Sequence, residues 1–374
     1  MCYRRLPPMA LAPGLPLVFV LACTTSAPER DSPGLSDPEF RRSLVSDLQG
    51  APPPPKELFA SDEPIRFVLA ADFDRLSGDR SQESEERPGR ILIRDREGRP
   101  VEMDIEIKTR GNFRLKRSTC SLPPLRLDLP SSEPLGTIFD GQDKLKLVTH
   151  CRDRDSYRQN VMEEYLAYRI YNQLTDLSFR VQLAEITYVD TSGKEGPLTR
   201  MGFLLEDEDA LAERTGGLML EGRGAGPESF HGETIGTMYL FQYLIGNVDW
   251  STVGPHNVKI LRVEFDHFPI PYDFDWSGLV DASYAGPNEL TVDLHGSVRE
   301  RVYWGACADH IDYQVVFSRF QEKRGAILGL VDELPELRED GRGEARDYFA
   351  EFYRIIDDPD RAQREIVRRC RRGR

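Results

Sequence analysis

Three neighbouring segments carry the strongest pattern in this chain: Gly246-Asn247-Val248-Asp249-Trp250, then Pro255-His256-Asn257-Val258-Lys259-Ile260-Leu261, then Pro271-Tyr272-Asp273-Phe274-Asp275-Trp276-Ser277-Gly278. They put an Asp and an Asn on a loop after a helix, then a short apolar strand, then an Asp pair at the end of a second apolar run. Carboxylates and an amide carbonyl are hard oxygen ligands, suited to Mg²⁺ carrying a phosphate substrate. Phosphoryl transfer depends on positioning and charge neutralisation. It needs one Asp to orient the attacking hydroxyl, and an Asn and a second Asp to hold metal on the phosphates. Asp and Asn also favour turns through local hydrogen bonds, so each residue taken singly supports a turn as well as a site.

Working outward, the periodicity predicts a helix from about Thr234 to Ile245, ended by Gly246, and further helices near 309–333 and 344–369. The first half reads differently. Segments at 65–70, 90–94, 101–109, 125–129 and 144–148 mostly alternate apolar with polar, as a half-buried antiparallel sheet requires, and Asp95 to Arg99 supplies a hairpin turn. A helix follows from Asp155 or Ser156, with Met162, Leu166, Ile170 and Leu174 on one face and Glu163, Glu164 and Arg169 on others. Strands at 181–189 and 201–205 lead into the acidic run Glu206 to Asp209. The expected class is α+β with two lobes, a β-rich N-lobe over 58–205 and a mainly helical C-lobe over 206–374, enclosing a cleft.

Composition narrows the function. The 374 residues carry 49 Lys+Arg against 63 Asp+Glu, a formal net charge of −14, with 39% hydrophobic residues. That is enough apolar material for a core. The acidity argues against a nucleic-acid partner, which would require clustered cations. The first 22 residues read as a signal peptide, with Arg4 and Arg5 before an apolar stretch too short to span a membrane. Val20-Leu21-Ala22-Cys23 resembles a lipobox, in which Cys23 would carry lipid and anchor an exported bacterial envelope lipoprotein to the membrane. Residues 23–57, closing in Pro52 to Pro55, read as a disordered Pro-rich linker. Cys120, Cys151, Cys307 and Cys370 remain as disulfide candidates, and of the three possible pairings 120–151 and 307–370 are expected.

Thr109-Arg110-Gly111-Asn112-Phe113, the basic strand at Leu125 to Leu129, Lys146-Leu147-Val148, the helix after Asn160, Met201-Gly202-Phe203 and the Pro271 to Asp275 segment occur in an order that resembles the CotH kinase-like family of divergent protein kinases. The similarity covers roughly 64–285. It implies a bilobal protein-kinase-like fold that binds ATP with Mg²⁺, or Mn²⁺ in its place, and phosphorylates a hydroxyl on an unknown protein acceptor. By this resemblance Asp249 is the catalytic aspartate, and Asn257, Asp273 and Asp275 belong to the metal site. Arg110 and Gly111 lie near the phosphates. Lys146 or Arg126 supplies the cation that pairs with Glu164, or with Glu163, and Glu206 opens a hinge whose backbone meets the adenine.

Two departures stand out. The Asp249-to-Asn257 interval is eight, where protein kinases use five, so the loop must bulge or Asp249 holds another role. No Gly-x-Gly-x-x-Gly loop lies in the first lobe. The rival reading is a non-catalytic, pseudokinase-like envelope scaffold, in which these residues need not converge.

Overall fold

The computed structural model describes residues 35–49, 57–130, 135–222, 224–287, 291–294 and 296–372. The signal segment, Cys23 and the Pro52 to Pro55 run lie outside the described residues. In chain order the first half runs α1 (Pro38–Gln49), β1 (Ile65–Ala71), α2 (Phe73–Gly78), β2 (Arg87–Arg94), β3 (Pro100–Thr109), β4 (Leu125–Asp128), β5 (Lys144–Val148), α3 (Asp155–Leu174), β6 (Val181–Asp190) and β7 (Leu198–Leu205). The second half runs α4 (Glu208–Thr215), β8 (Leu218–Leu220), α5 (Gly232–Ile245), β9 (Val258–Val263), β10 (Asp266–Pro271), α6 (Tyr313–Glu333), α7 (Glu339–Ile356) and α8 (Pro359–Glu365). The fold is α+β, β-rich first and mainly helical second.

The seven strands of the first half close into a barrel in the order β1-β2-β3-β4-β5-β7-β6. Every neighbouring pair is antiparallel except β1 with β6, which run parallel from Ile65↔Ala184 to Ala71↔Asp190 and seal the barrel. Alternation predicted the antiparallel strands but not the closure. Parallel partners are joined only through a crossover, here the chain that ends in α3, and no local pattern announces it.

The pleat assigns the two faces of each strand to different cores. Phe67 and Leu69 point into the barrel with Ile91, Ile93, Leu125 and Leu147, while Val68, Ala70 and Leu92 face outward onto Leu44 and Leu48 of α1. This corrects part of the expected disordered linker. Phe40, Leu44 and Leu48 recur at i+4, a stripe that the surrounding Pro and charge obscure, and the helix buries it on the barrel. On the other side Leu183, Phe203 and Leu205 face the core shared with α3 and α5.

Helix α5 is buried on all sides from Thr234 to Ile245 and forms the centre of the second half. The expected helix over 344–369 is two. Pro359 cannot continue the ladder of α7, and Asp358 caps α8 by accepting from the Asp360 and Arg361 amides. Disulfides join Cys120 to Cys151 and Cys307 to Cys370, as expected. No described helix is long and apolar enough to cross a membrane.

Candidate functional site

Helix α5 ends at Gly246 in the left-handed conformation (φ 65°), which turns the chain sharply into the loop that carries Asp249. Asn247, fully buried, donates from Nδ2 to Gln242 Oε1 (3.0 Å) and accepts the Asp249 amide on Oδ1 (2.9 Å), so Asp249 leaves the helix in a fixed direction. Trp250 stacks on Tyr239 and donates to the Asn247 carbonyl, anchoring the far side. Ser251 and His256 then exchange both backbone hydrogen bonds and close the intervening residues into a loop. The closed loop takes up part of the eight-residue interval between Asp249 and Asn257. It returns Asn257 to Asp249, with Asn257 Nδ2 donating to the Asp249 carbonyl (2.8 Å) and to Asp249 Oδ2 (3.1 Å).

The β9–β10 hairpin brings the third residue in. Its register places Val258 opposite Pro271, and one step further the Tyr272 amide donates to the Asn257 carbonyl, so Asp273 lies beside Asn257 despite the sequence between them. Asn257 (φ 52°) and Asp273 (φ 62°) both take left-handed backbone, which short polar side chains tolerate best. The Asp273 amide donates to the Tyr168 hydroxyl (2.8 Å) on α3, tying hairpin to helix.

Beneath these residues lies an ion cluster that the sequence reading missed. Arg114, 8% exposed, sits in a short 3₁₀ turn (Phe113–Leu115) that follows the Arg110-Gly111-Asn112 loop. Its guanidinium donates through Nη1 to Glu164 (2.9 Å) and through Nη2 to Asp273, and its Nε lies 3.2 Å from Asp275. Glu164 is therefore a buried ion-pair partner on α3, 2% exposed, and its cation is neither Lys146 nor Arg126. Arg126 is on the barrel wall with Glu86 and Asp128. Lys146 pairs with Glu208 (2.6 Å), which Lys259 shares (3.0 Å). Arg114 stands two residues beyond the Arg110-Gly111-Asn112 motif, and that position is the one signal in the sequence that could have found it.

One guanidinium cannot neutralise three carboxylates, two of them buried and the third half-buried, and their acidities divide accordingly. Burial pushes Asp275 well above the ordinary carboxylate range and raises Glu164, in each case against the pull of Arg114. Burial also opposes ionisation of Asp273, but Arg114 and Arg110 together hold its carboxyl below the ordinary range. Asp273, 31% exposed at its side chain, is thus the most readily ionised of the three and the one that reaches solvent. Asp275 is not placed as a metal ligand. It is buried, holding Arg114 and accepting from the Tyr284 hydroxyl (2.9 Å).

Glu206 is also reassigned. Its amide already donates to the Arg180 carbonyl and its carboxylate accepts from Arg214 Nε (2.7 Å), so no hinge N–H remains at this residue for a base. Gly111 does occupy an open turn at φ 106°, with nothing near the position a Cβ would take. Arg110, Lys146, Lys259, Glu208 and Asp273 form one electrostatic neighbourhood. Burial and then Arg110 lower the Lys146 ammonium, while Lys259, Asp273, Glu208 and Arg110 all act on the buried Tyr272 hydroxyl. Cys151 is oxidised in its disulfide, which removes it as a thiol nucleophile.

The donor set suits a hard cation. Asp273 is ionised and reaches solvent, and Asn257 Oδ1 carries no hydrogen bond among the described residues. No group of three or more His, Cys, Asp or Glu among the described residues would hold a metal by itself. Mg²⁺ fits this arrangement, since it binds through one or two protein oxygens and completes its shell with phosphate and water.

Next to the site, Glu163 is buried and accepts from Gln159 (3.0 Å). Burial pushes its carboxyl up to about 8, against hydrogen bonds from Gln159 and Asn160. The folded state favours the protonated form, so this contribution to stability is complete below about pH 4.5 and is lost as the pH rises through about 8. Glu163→Gln is expected to remove that loss, gaining about 2–4 kcal/mol at pH 8 and little at pH 5. Urea unfolding at the two pH values measures it.

No family model matches the chain, and no curated protein does. Among solved structures it is similar to the HipA–HipB–operator DNA complex of the Shewanella oneidensis MR-1 toxin–antitoxin system, at 12% identity and a TM-score of 0.29. That match covers 60% of this chain and 59% of the other, so less than two thirds of either is aligned. None of these comparisons shows the CotH kinase-like family.

Proposed function

We propose that the protein is an atypical, CotH-like phosphotransferase that moves the γ-phosphoryl group of ATP to a hydroxyl on a protein acceptor. The observation that carries this reading is the convergence of Asp249, Asn257 and Asp273 from three segments onto one hydrogen-bonded corner. Asp249 receives the acceptor hydroxyl. Its Oδ1 is already engaged by His256 (3.1 Å) and its Oδ2 by Asn257, which fixes the carboxylate plane while leaving lone pairs for an incoming O–H. Asn257 and Asp273 would hold Mg²⁺, which when bound neutralises charge on the phosphates. Arg110, Lys146 and Lys259 supply further positive charge on the same side, and the Gly111 turn leaves room for the backbone to approach phosphate. The buried Arg114–Glu164 pair keeps α3 and the Arg-Gly-Asn loop in register with Asp273.

The two disulfides suit an oxidising compartment, in keeping with export to the envelope and anchoring through Cys23. Isothermal calorimetry tests the reading. Mg-ATP is expected to bind the wild type and to give no saturable heat with Asp273→Ala, whose fold is checked by its unfolding temperature. Absence of heat with the wild type would leave the fold as a non-catalytic scaffold.

A further inference from the structure

The chain is strongly acidic, yet the rim beside this site is not. Lys116 and Arg117 on the loop after Arg114, Arg152 and Arg154 on the entry to α3, and Arg80, which reaches that loop from the end of α2, line this rim, and none of them is in an ion pair among the described residues. The nearby acids are engaged elsewhere, Asp153 by Arg200 (2.5 Å) and Asp155 by Arg158 (2.7 Å).

Two of the guanidiniums are clamped by carbonyls. Arg80 donates to the Leu115, Cys120 and Ser121 carbonyls, and Arg152 to those of Arg117, Ser118 and Thr119. Such bonds satisfy N–H groups without cancelling charge. The cations repel one another: burial first, then the charges of Arg117 and Arg152, pull the Arg80 guanidinium below its ordinary value. A rigid, uncompensated positive cluster in a chain of net charge −14 calls for an outside counter-charge.

The cluster is continuous with the site. Lys116 lies over the Phe113 ring (4.2 Å) and Arg152 over that of Tyr157 (5.9 Å). Phe113 packs on Trp276 and Tyr284, Tyr157 also meets Tyr284, and Tyr284 holds Asp275. We propose that this rim docks an acidic segment of the acceptor protein, its carboxylates pairing with Lys116, Arg117 and Arg154 while the aromatic run leads its hydroxyl toward Asp249. Cations on backbone segments held in place by the clamped Arg80 and Arg152 match carboxylates spaced along a peptide, whereas a charged bilayer surface imposes no such register.

The acceptor role rests on the phosphotransferase reading, but the docking is measured without it. A fluorescein-labelled, glutamate-rich serine peptide is titrated with the full chain by anisotropy, against its glutamine counterpart and phosphatidylglycerol vesicles. Saturable binding of the glutamate peptide alone is expected, weakened about tenfold in Lys116→Glu/Arg117→Glu. The remote exposed pair Lys323→Glu/Arg364→Glu, with the same change in net charge, is expected to leave it unchanged. No saturable binding, equal binding of the glutamine peptide, equal loss in both variants, or charge-dependent binding confined to the vesicles would each overturn the proposal. Failure of the phosphotransferase reading would show instead as absence of heat with Mg-ATP, with the peptide titration unaffected.

Discussion

Arg114→Met is expected to unfold about 6–10 °C below the wild type and to lose Mg-ATP binding. Methionine preserves the stem and most of the packing, so the effect isolates the charge. Without the guanidinium, Glu164 and Asp275 are left with no cation at 2% and 5% exposure, and Asp273 loses the donor that holds it below the ordinary range. Breaking a buried ion pair from one side costs about 3–5 kcal/mol, because the carboxyls left behind must either stay charged without a partner or take up a proton. Combining Arg114→Met with Glu164→Gln and Asp275→Asn removes those orphaned carboxyl groups and is expected to regain most of the stability without regaining nucleotide binding. Arg114→Lys should rescue neither fully, since one ammonium cannot reach Glu164, Asp273 and Asp275 through three separate N–H directions. Thermal unfolding of the set, with calorimetry on the folded members, decides it. A single variant with wild-type stability would remove Arg114 from the centre of the site.

Asp249→Asn is expected to leave Mg-ATP affinity within about threefold of wild type while phosphate incorporation falls by about 10²–10⁴-fold, the range supplied by a positioned proton acceptor. Asparagine keeps the size and the hydrogen bond with His256, but offers an N–H where the carboxylate offered a second acceptor. Asp249 is not required to hold the metal, so binding and transfer should separate in this variant, whereas Asp273→Ala loses both. Autophosphorylation with labelled ATP measures it. Undiminished incorporation would assign the acceptor's proton to another group.

How much of this was legible in the chain differs from element to element. The barrel strands, α3 and α5 were legible because a pleat or a helix imposes a period on the sequence that buries it, and Gly246 marks the end of α5 at a position requiring left-handed backbone. Asp249, Asn257 and Asp273 were legible as residue types that turn-forming chemistry and metal chemistry both favour. Their convergence was not, since it depends on the Ser251–His256 closure and the hairpin register, which are pairings across the chain. The cation assignment failed for a related reason. Lys146 and Arg126 occupy strand positions that read as site-facing, yet their nearest carboxylates, Glu208 and Glu86, come from elsewhere in the chain.

The sequence by itself therefore determined the α+β class, the barrel strands and the helix that ends at Gly246, because local periodicity, composition and turn chemistry act over a few residues. Only the tertiary structure decided that β1 and β6 close a barrel, that 35–49 is helix packed on it, and that Arg114 answers Glu164, Asp273 and Asp275. Those outcomes depend on which charges and apolar faces meet when segments from distant parts of the chain are buried together. In the dry interior a carboxylate takes whatever cation the packing brings within reach, and the linear order of residues does not encode that distance.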